Sequence, residues 1–389
     1  MLHNFFDFPL TSLPPETVEL RGQVREFVGD YMQRNGGAHV DSWMIPSPEF
    51  SKLLGARGWL GVTWPKKYGG RAGSNLERFV IIEELLSAGA PVGAHWVADR
   101  QSGNVILKYG TEKQRQDILP RIAKGDCYFA IGMSEPNSGS DLASIRTKAT
   151  HTTKNGGGWL INGQKIWTSF AQHCHYVICL ARTSPPSDNR HAGLSQFLVD
   201  LKTPGITIRP ITNLKGEPHF NEIFFDDVFI PDDMVLGEVG AGWAQVLSEL
   251  GFERSGPERV LSTYPLLVAA INVIIKEGKK DGEAVQNLIG ELVARLINIR
   301  QMSISVAGSL DQGKIPTLEA SIVKDLGTTF EQDIPEILRS ILDVAPNQRA
   351  LNQLDKLMGE AILTSPSYSL RGGTREILHG IIARGLGVR

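Results

Sequence analysis

The sequence predicts an α+β multidomain fold with helices first, strands in the middle and helices again at the end. Three observations carry this order. Residues 1–125 place apolar side chains at helical spacing, 126–240 break into short apolar or alternating runs between turn formers, and from 241 to 389 the helical period returns. These ranges define an N-terminal all-α domain, a middle β-domain and a C-terminal helical domain. The number and spacing of the strand-like runs suit a small β-barrel or sandwich.

In the first segment, Val18 to Met32 repeats apolar residues with a helical period, which predicts a helix with one buried face. The stretch "WPKKYGG" (64–70) combines a proline with paired glycines and predicts a connection between helices. Thr111-Glu112-Lys113-Gln114 has the form of a capping box and opens a helix running to Ala123. In the middle segment, "CYFAIGM", "HYVICLA", "SQFLVDL", "ITIRPI" and "EIFFDDVFI" read as strands. "WLINGQKIW" predicts a hairpin, with Asn162-Gly163 as the turn between two arms. From Gly242 the pattern is helical to the end.

The bulk numbers exclude several classes of function. Forty Lys+Arg stand against 42 Asp+Glu, so no nucleic acid and no strongly charged membrane surface is implied as a partner. The opening residues Met1-Leu2-His3-Asn4-Phe5-Phe6-Asp7 lack a basic leader and an Arg-rich amphipathic pattern. The longest apolar run, Tyr264 to Ile275, is too short to span a bilayer and predicts a buried helix. Three cysteines without ligand spacing suit a reducing compartment. The expectation is a soluble cytoplasmic protein without a metal.

Four stretches could carry chemistry. "MSEPNSGSD" (133–141) follows a strand and offers backbone N–H groups with the hydroxyls of Ser134, Ser138 and Ser140, although an ordinary β-connection has the same composition. "NGQKIWTS" ends in Trp167 with Thr168 and Ser169. An aromatic wall beside hydroxyls suits a flat heterocycle, and the same Trp suits a core. In "GWAQVLSELGFERSGPER" (242–259), one helix from Trp243 to Arg254 puts Trp243, Val246, Leu247 and Leu250 on an apolar stripe, with Arg254 near its middle and Glu253 at its edge. Charges there are costly unless paired or used. Alternatively, the helix breaks and Ser255-Gly256-Pro257-Glu258 caps a new one in solvent. In "SLRGGTREILHGIIARGLG" (369–387), two glycines feed a helix start with Thr374 as N-cap, a natural meeting place for an anion, yet no side chain of Leu370 to Thr374 readily takes a proton.

Two further signals are weaker. His173 and His175 alternate as if on one strand face, but no third or fourth zinc ligand accompanies them. "LGEVGAGW" (236–243) lacks the order of a dinucleotide fingerprint and reads as a loop leading into a helix.

Taken together, "WLGVTWPKKYGG", "YGTEKQRQDILPRIAKGD", "MSEPNSGSDLASIRTKA", "INGQKIWTS", "FFDDVFIPDDMVLGEVGAGW" and the closing "GTREILHGIIARGLG" resemble the acyl-CoA dehydrogenase family, in the family's order and over most of the chain. The resemblance implies a C-terminal four-helix bundle after the helical and β-domains, FAD as cofactor and a CoA thioester as substrate. It implies that Ile131, Met133 and Ser134 line the isoalloxazine, that Trp167 packs on it and that Ser169 bonds near N5. Ser140 and Arg254 are implied at the thioester or pantetheine, and Thr374 and Glu376 at the dinucleotide. The implied reaction is α,β-dehydrogenation to the trans-2-enoyl-CoA, a carboxylate taking the α-proton while flavin N5 accepts the β-hydride. Electron-transferring flavoprotein is the implied acceptor, and a homodimer or tetramer, or a heteromeric assembly, the implied form.

Two departures from the family pattern matter. Many members carry the base in a Tyr-Glu-Gly-Thr turn, where this chain has Arg371-Gly372-Gly373-Thr374. Isovaleryl- and long-chain-type members place it before an Arg on a helix instead, and "LGFER" puts Glu253 there. The resemblance thus implies Glu253 as base and the backbone N–H of Gly372 as donor to the thioester carbonyl. Second, the Arg-x-x-Phe-Gly stretch that reaches FAD across the family's dimer interface is not recognisable in "INVIIKEGKKDGEAVQNLIGEL". Three readings follow: an acyl-CoA dehydrogenase acting on a bulky or branched acyl group, a flavin oxidase or monooxygenase on the same fold, or a non-catalytic subunit completing a partner's FAD site.

Overall fold

The computed structural model describes residues 6–185, 187–254 and 256–388; the side chains of Asn155 and of residues 250–253 lie outside that description. Among the described residues, six α-helices come first: α1 (Glu16–Arg34), α2 (Pro48–Ala56), α3 (Asn75–Ser87), α4 (Gly93–Val97), α5 (Gly103–Tyr109) and α6 (Glu112–Ala123). Eight strands follow among the described residues: β1 (Phe129–Gly132), β2 (Lys148–Thr152), β3 (Gly158–Ser169), β4 (Tyr176–Arg182), β5 (Leu194–Asp200), β6 (Ile206–Thr212), β7 (Pro218–Pro231) and β8 (Val235–Leu236). The chain closes with α7 (Gly242–Glu253), α8 (Tyr264–Lys276), α9 (Glu283–Asp311), α10 (Thr317–Ile341), α11 (Gln353–Thr364) and α12 (Arg375–Gly385). The helical, strand and helical order is as the sequence predicts.

By internal contacts the chain forms two compact units. One comprises residues 1–45, 73–92 and 253–389, the other 46–72 and 93–252.

In the second unit the strands form one eight-stranded sheet in the order β6-β7-β3-β2-β4-β5-β8, with β1 parallel to β4. The place of β4 in this sheet explains its unbroken apolar run from Val177 to Ala181. Val177, Cys179 and Ala181 join one cluster with Trp159, Ile161, Phe197 and Phe225, while Ile178 joins Trp64, Ile106, Leu119 and Ile122. Both faces of the strand are therefore buried, as the alternation of side chains demands. Thr111 caps α6 as predicted: its hydroxyl accepts the Gln114 N–H (3.2 Å) and the Gln114 amide accepts the Thr111 N–H (3.0 Å).

The predicted hairpin at Asn162-Gly163 is corrected. β3 runs unbroken from Gly158 to Ser169, and the register shifts there against β7. The Asn162 side chain donates to Asp227 Oδ1 (2.8 Å) and accepts the Asp227 N–H (2.9 Å), bridging a bulge rather than turning the chain. Long pairing with β7 outweighs the local turn signal. Gly163 has φ 148°, and a Cβ there would lie 2.5 Å from Thr147 Oγ1 and 2.7 Å from its Cα. Gly163→Ala is accordingly expected to destabilise the protein by more than about 1 kcal/mol in urea denaturation. An unchanged midpoint would contradict this account of the bulge.

The first unit is built from α1, α3 and α8–α12. α3 buries two adjacent carboxylates, Glu83 and Glu84. Arg21 and Arg300 reach Glu83 with bonds of 2.8 and 2.9 Å, and Arg25 Nε reaches Glu84 at 2.9 Å. The apolar run at 264–275 forms α8, as predicted. Among the described residues no helix is long and apolar enough to cross a membrane.

Candidate active site

In the sheet-containing unit, β1 ends at Gly132 and hands the chain to Met133, Ser134 and Glu135. This stretch is fixed from below by Lys165 of β3. The fully buried ammonium donates to the Met133 carbonyl (2.9 Å) and to Glu135 Oε1 (2.9 Å). Glu135 also accepts the N–H groups of Arg146 (2.7 Å) and Thr147 (2.8 Å). Burial pushes the Glu135 carboxyl up, but the Lys165 charge and these hydrogen bonds outweigh it and hold the group below the usual carboxylate range. The neighbouring Ile166 N–H donates to the Ser134 carbonyl (2.9 Å), which ties β1 and β3 together where the predicted flavin residues lie.

Trp167 is 56% exposed, with its ring edge-on to Phe220 at 5.9 Å. Its φ of 60° is left-handed, and it lies where the β3–β7 register slips between Lys165 and Thr168. A large side chain held in that backbone region costs of order 1–3 kcal/mol, and such residues concentrate at functional sites. Thr168 is buried, while Ser169, Ile131, Met133 and Ser134 are half-buried. The fold thus gathers Ile131, Met133, Ser134, Trp167 and Ser169 onto the adjoining strands β1 and β3 and the segment after β1. Ser140 is exposed in the following loop, where Ser138 and Ser144 spend their hydroxyls on the Asp141 carbonyl (2.7 and 2.8 Å).

α7 differs from its predicted stripe. Val246 is buried, but Leu247 is 56% exposed and the buried polar positions are Gln245 and Glu249. Gln196 of β5 donates to Glu249 Oε2 (3.3 Å), a buried carboxylate that helical periodicity alone did not single out. Leu250 has its side chain outside the described portion, as does Glu253, the last residue of the helix.

In the other unit, Arg254 is buried, and its Nε donates to the carbonyl of Gly372 (3.2 Å). Gly372 and Gly373 have φ of 68° and 99°, consecutive left-handed positions that favour glycine. Among the described residues, neither of their N–H groups has an acceptor. Thr374 follows as the N-cap of α12, its hydroxyl facing the Ile377 N–H at a long 3.5 Å. Glu376 is exposed in the first turn, and its own backbone N–H and the Thr374 hydroxyl hold its carboxyl below the usual range. The structure therefore joins Arg254, Gly372, Gly373 and Thr374 at one turn.

One open alternative is decided here and one reading is corrected. Pro257–Arg259 form a buried 3-10 turn rather than the start of a solvent-facing helix; Ser255, the expected cap, lies outside the described residues. His173 belongs to a 3-10 turn while His175 precedes β4 and accepts the Tyr128 N–H (3.1 Å), so the two share no strand face. Sequence reasoning also passed over Arg371, which is turned inward among acidic groups rather than displayed at the turn.

Comparison with known proteins follows the same lines. Residues 14–126 match the acyl-CoA dehydrogenase N-terminal domain and 130–228 the acyl-CoA dehydrogenase middle domain. The chain is 32% identical to acyl-CoA dehydrogenase FadE26 of Mycobacterium tuberculosis, over 96% of this chain and 98% of that one. It is 33% identical to acyl-CoA dehydrogenase FadE34 of the same organism over 88% of its own length, but spans only 46% of that protein. Among solved structures it resembles the Tcur3481-Tcur3483 steroid ACAD (TM-score 0.86, 27% identity, 97% of this chain and 99% of that one). It also resembles the ChsE4-ChsE5 complex of Mycobacterium tuberculosis (TM-score 0.81, 27% identity, 97% and 98%).

Proposed function

The chain belongs to the acyl-CoA dehydrogenase family, whose members are FAD-dependent oxidoreductases, and from that premise we propose that it converts an acyl-CoA thioester to the trans-2-enoyl-CoA with Glu253 as base. One observation carries the reading. The side chain of Arg254, the residue after Glu253 in the chain, touches the carbonyl of Gly372 in the turn that lacks a carboxylate of its own.

The α-proton of a thioester is a very weak acid, so its removal needs the carbonyl polarised. The N–H of Gly372, which has no acceptor among the described residues, serves as that donor, aimed at the oxygen where negative charge develops. Glu253 takes the proton. Arg254 and Ser140 hold the CoA thioester. FAD, when bound, supplies the acceptor for the β-hydride. The residues present fit that group: an exposed Trp167 in a strained backbone, flanked by Ile131, Met133, Ser134 and Ser169, offers a face for a flat heterocycle. Thr374 and Glu376 stand at the α12 N-terminus, where backbone donors and the helix dipole favour a pyrophosphate. Electron-transferring flavoprotein is the acceptor in this reading.

We take the acyl group to be bulky. Glu253 supports this through the isovaleryl- and long-chain-type placement of the base, and one similar structure is described as a steroid ACAD. A second reading is favoured by two observations: the unrecognisable Arg-x-x-Phe-Gly stretch and similar structures described as pairs of proteins. In it the chain works as one subunit of a heteromer.

Purifying the chain alone and titrating it anaerobically with straight, branched and polycyclic acyl-CoA thioesters tests the first reading. A yellow protein that bleaches and yields the 2-enoyl product is expected. A colourless chain that becomes yellow only with a co-expressed partner supports the heteromer, and rapid oxygen consumption by the reduced protein supports an oxidase.

A further inference from the structure

The glycine turn is poorly held by ordinary packing. Leu370, just before it, is 66% exposed, and Gly372 and Gly373 have the widest backbone freedom of any residue pair. A donor N–H in such a turn points nowhere in particular unless something fixes it. The structure provides an anchor at Arg371. Its guanidinium leaves the surface and enters a buried pocket in the same unit.

Arg371 Nη2 donates to Glu331 of α10, to Ser262 Oγ (3.0 Å) and to the Glu258 carbonyl (3.4 Å). Nη1 reaches Asp41 Oδ1 at 3.5 Å. The guanidinium also lies over the rings of Tyr368 (4.4 Å) and Trp43 (5.1 Å). Asp41, Glu331 and Tyr368 are fully buried. One side chain thus ties the turn to segments around Asp41, Glu258–Ser262 and α10. From the other side, Arg254 Nε holds the Gly372 carbonyl at 3.2 Å. The Gly372 residue is therefore clamped on both flanks.

A buried cluster of one cation and two carboxylates is a poor way to gain stability, because an apolar set of similar volume often does as well. Its value lies in geometry. Resting on the dehydrogenase reading above, we infer that Arg371 is a positioning residue: anchored by Asp41 and Glu331, it aims the Gly372 N–H at the substrate carbonyl oxygen. It touches neither substrate nor cofactor. Its effect passes through the backbone of the next residue.

The test uses flavin-loaded wild type, Arg371→Met and Arg371→Lys, each with a bound carbonyl-labelled acyl-CoA thioester. Infrared difference spectra report polarisation of the labelled carbonyl, and rapid kinetics report flavin reduction. In the wild type the carbonyl band is expected to shift well below that of free thioester. In Arg371→Met it should return most of the way, with reduction slowed about 10²-fold and thioester affinity changed only several-fold. Arg371→Lys should recover part of both, since charge is kept but the fork is lost. If Arg371→Met does not fold, Asp41→Asn, which weakens one arm of the anchor, should show a smaller shift of the same sign. A folded Arg371→Met, or Asp41→Asn in its place, with wild-type band and rate overturns the inference alone. A wild type with no shifted band overturns the inference and the dehydrogenase reading together.

Discussion

Replacing Glu253 by Gln is expected to slow flavin reduction by roughly 10²–10⁴-fold, the usual worth of a general base, while FAD content and thioester affinity stay near those of the wild type. The expectation rests on elimination as much as on placement. Within the closing turn, the Arg371 guanidinium is turned inward and engaged by Glu331 and Asp41, and Gly372 and Gly373 have no side chain to offer. Thr374 is occupied as a helix cap. Glu253 ends α7 one residue before Arg254, whose side chain contacts the turn. A carboxylate shortened by one methylene, Glu253→Asp, misplaces the base by about 1 Å, and a fall of about 10²-fold is expected from that displacement. Stopped-flow absorbance of the flavin under anaerobic conditions reads both variants. A Gln variant reduced at the wild-type rate means that another group takes the proton.

The second large effect concerns stability. Lys165→Met is expected to destabilise the sheet-containing unit by about 3–5 kcal/mol, because it strands the buried Glu135 without its charge partner. The loss is measurable as a shift in the denaturation midpoint. Adding Glu135→Gln should restore part of the stability, since a neutral amide tolerates burial better than an unpaired carboxylate. The same pair gives a pH dependence. Glu135 is held below its ordinary value in the folded protein, so its contribution is complete above the ordinary carboxylate range. It is lost as pH falls through the lowered folded-state value. The Lys165→Met protein should lack this component of acid sensitivity. Because Lys165 also holds the Met133 carbonyl, the variant should bind FAD more weakly.

Elements with strong local signals are legible in the sequence. The α1 periodicity, the Thr111 capping box and the apolar run of α8 all report short-range physics, and each appears in the structure. The failures came where distant partners decide. Asn162-Gly163 has the composition of a hairpin turn, yet β7 supplies a continuous partner and the pair becomes a bulge. Periodicity put Leu247 on a buried stripe of α7, but the sheet presents Gln196, and α7 meets it with Glu249. The inward turn of Arg371 depends on Asp41 and Glu331, residues 330 and 40 positions away. No local pattern at Arg371-Gly372-Gly373-Thr374 could disclose it.

For the site itself, spacing suggested little more than an aromatic wall near hydroxyls and a helix start suited to an anion. The motif order from "MSEPNSGSD" to "GTREILHG" carried the chemistry. Geometry then added what the motifs lack: the left-handed Trp167, the contact between Arg254 and Gly372, and the buried hold on Arg371.

The central claim is that proton removal has moved from the closing turn to the end of α7. It is tested most directly by α-hydrogen exchange in D2O, using FAD-loaded protein and a CoA thioester that cannot be oxidised. The wild type should wash deuterium into the α-position, and Glu253→Gln should bind the same thioester with the exchange abolished. Exchange by Glu253→Gln at the wild-type rate would contradict the claim and send the search for the base elsewhere in the chain.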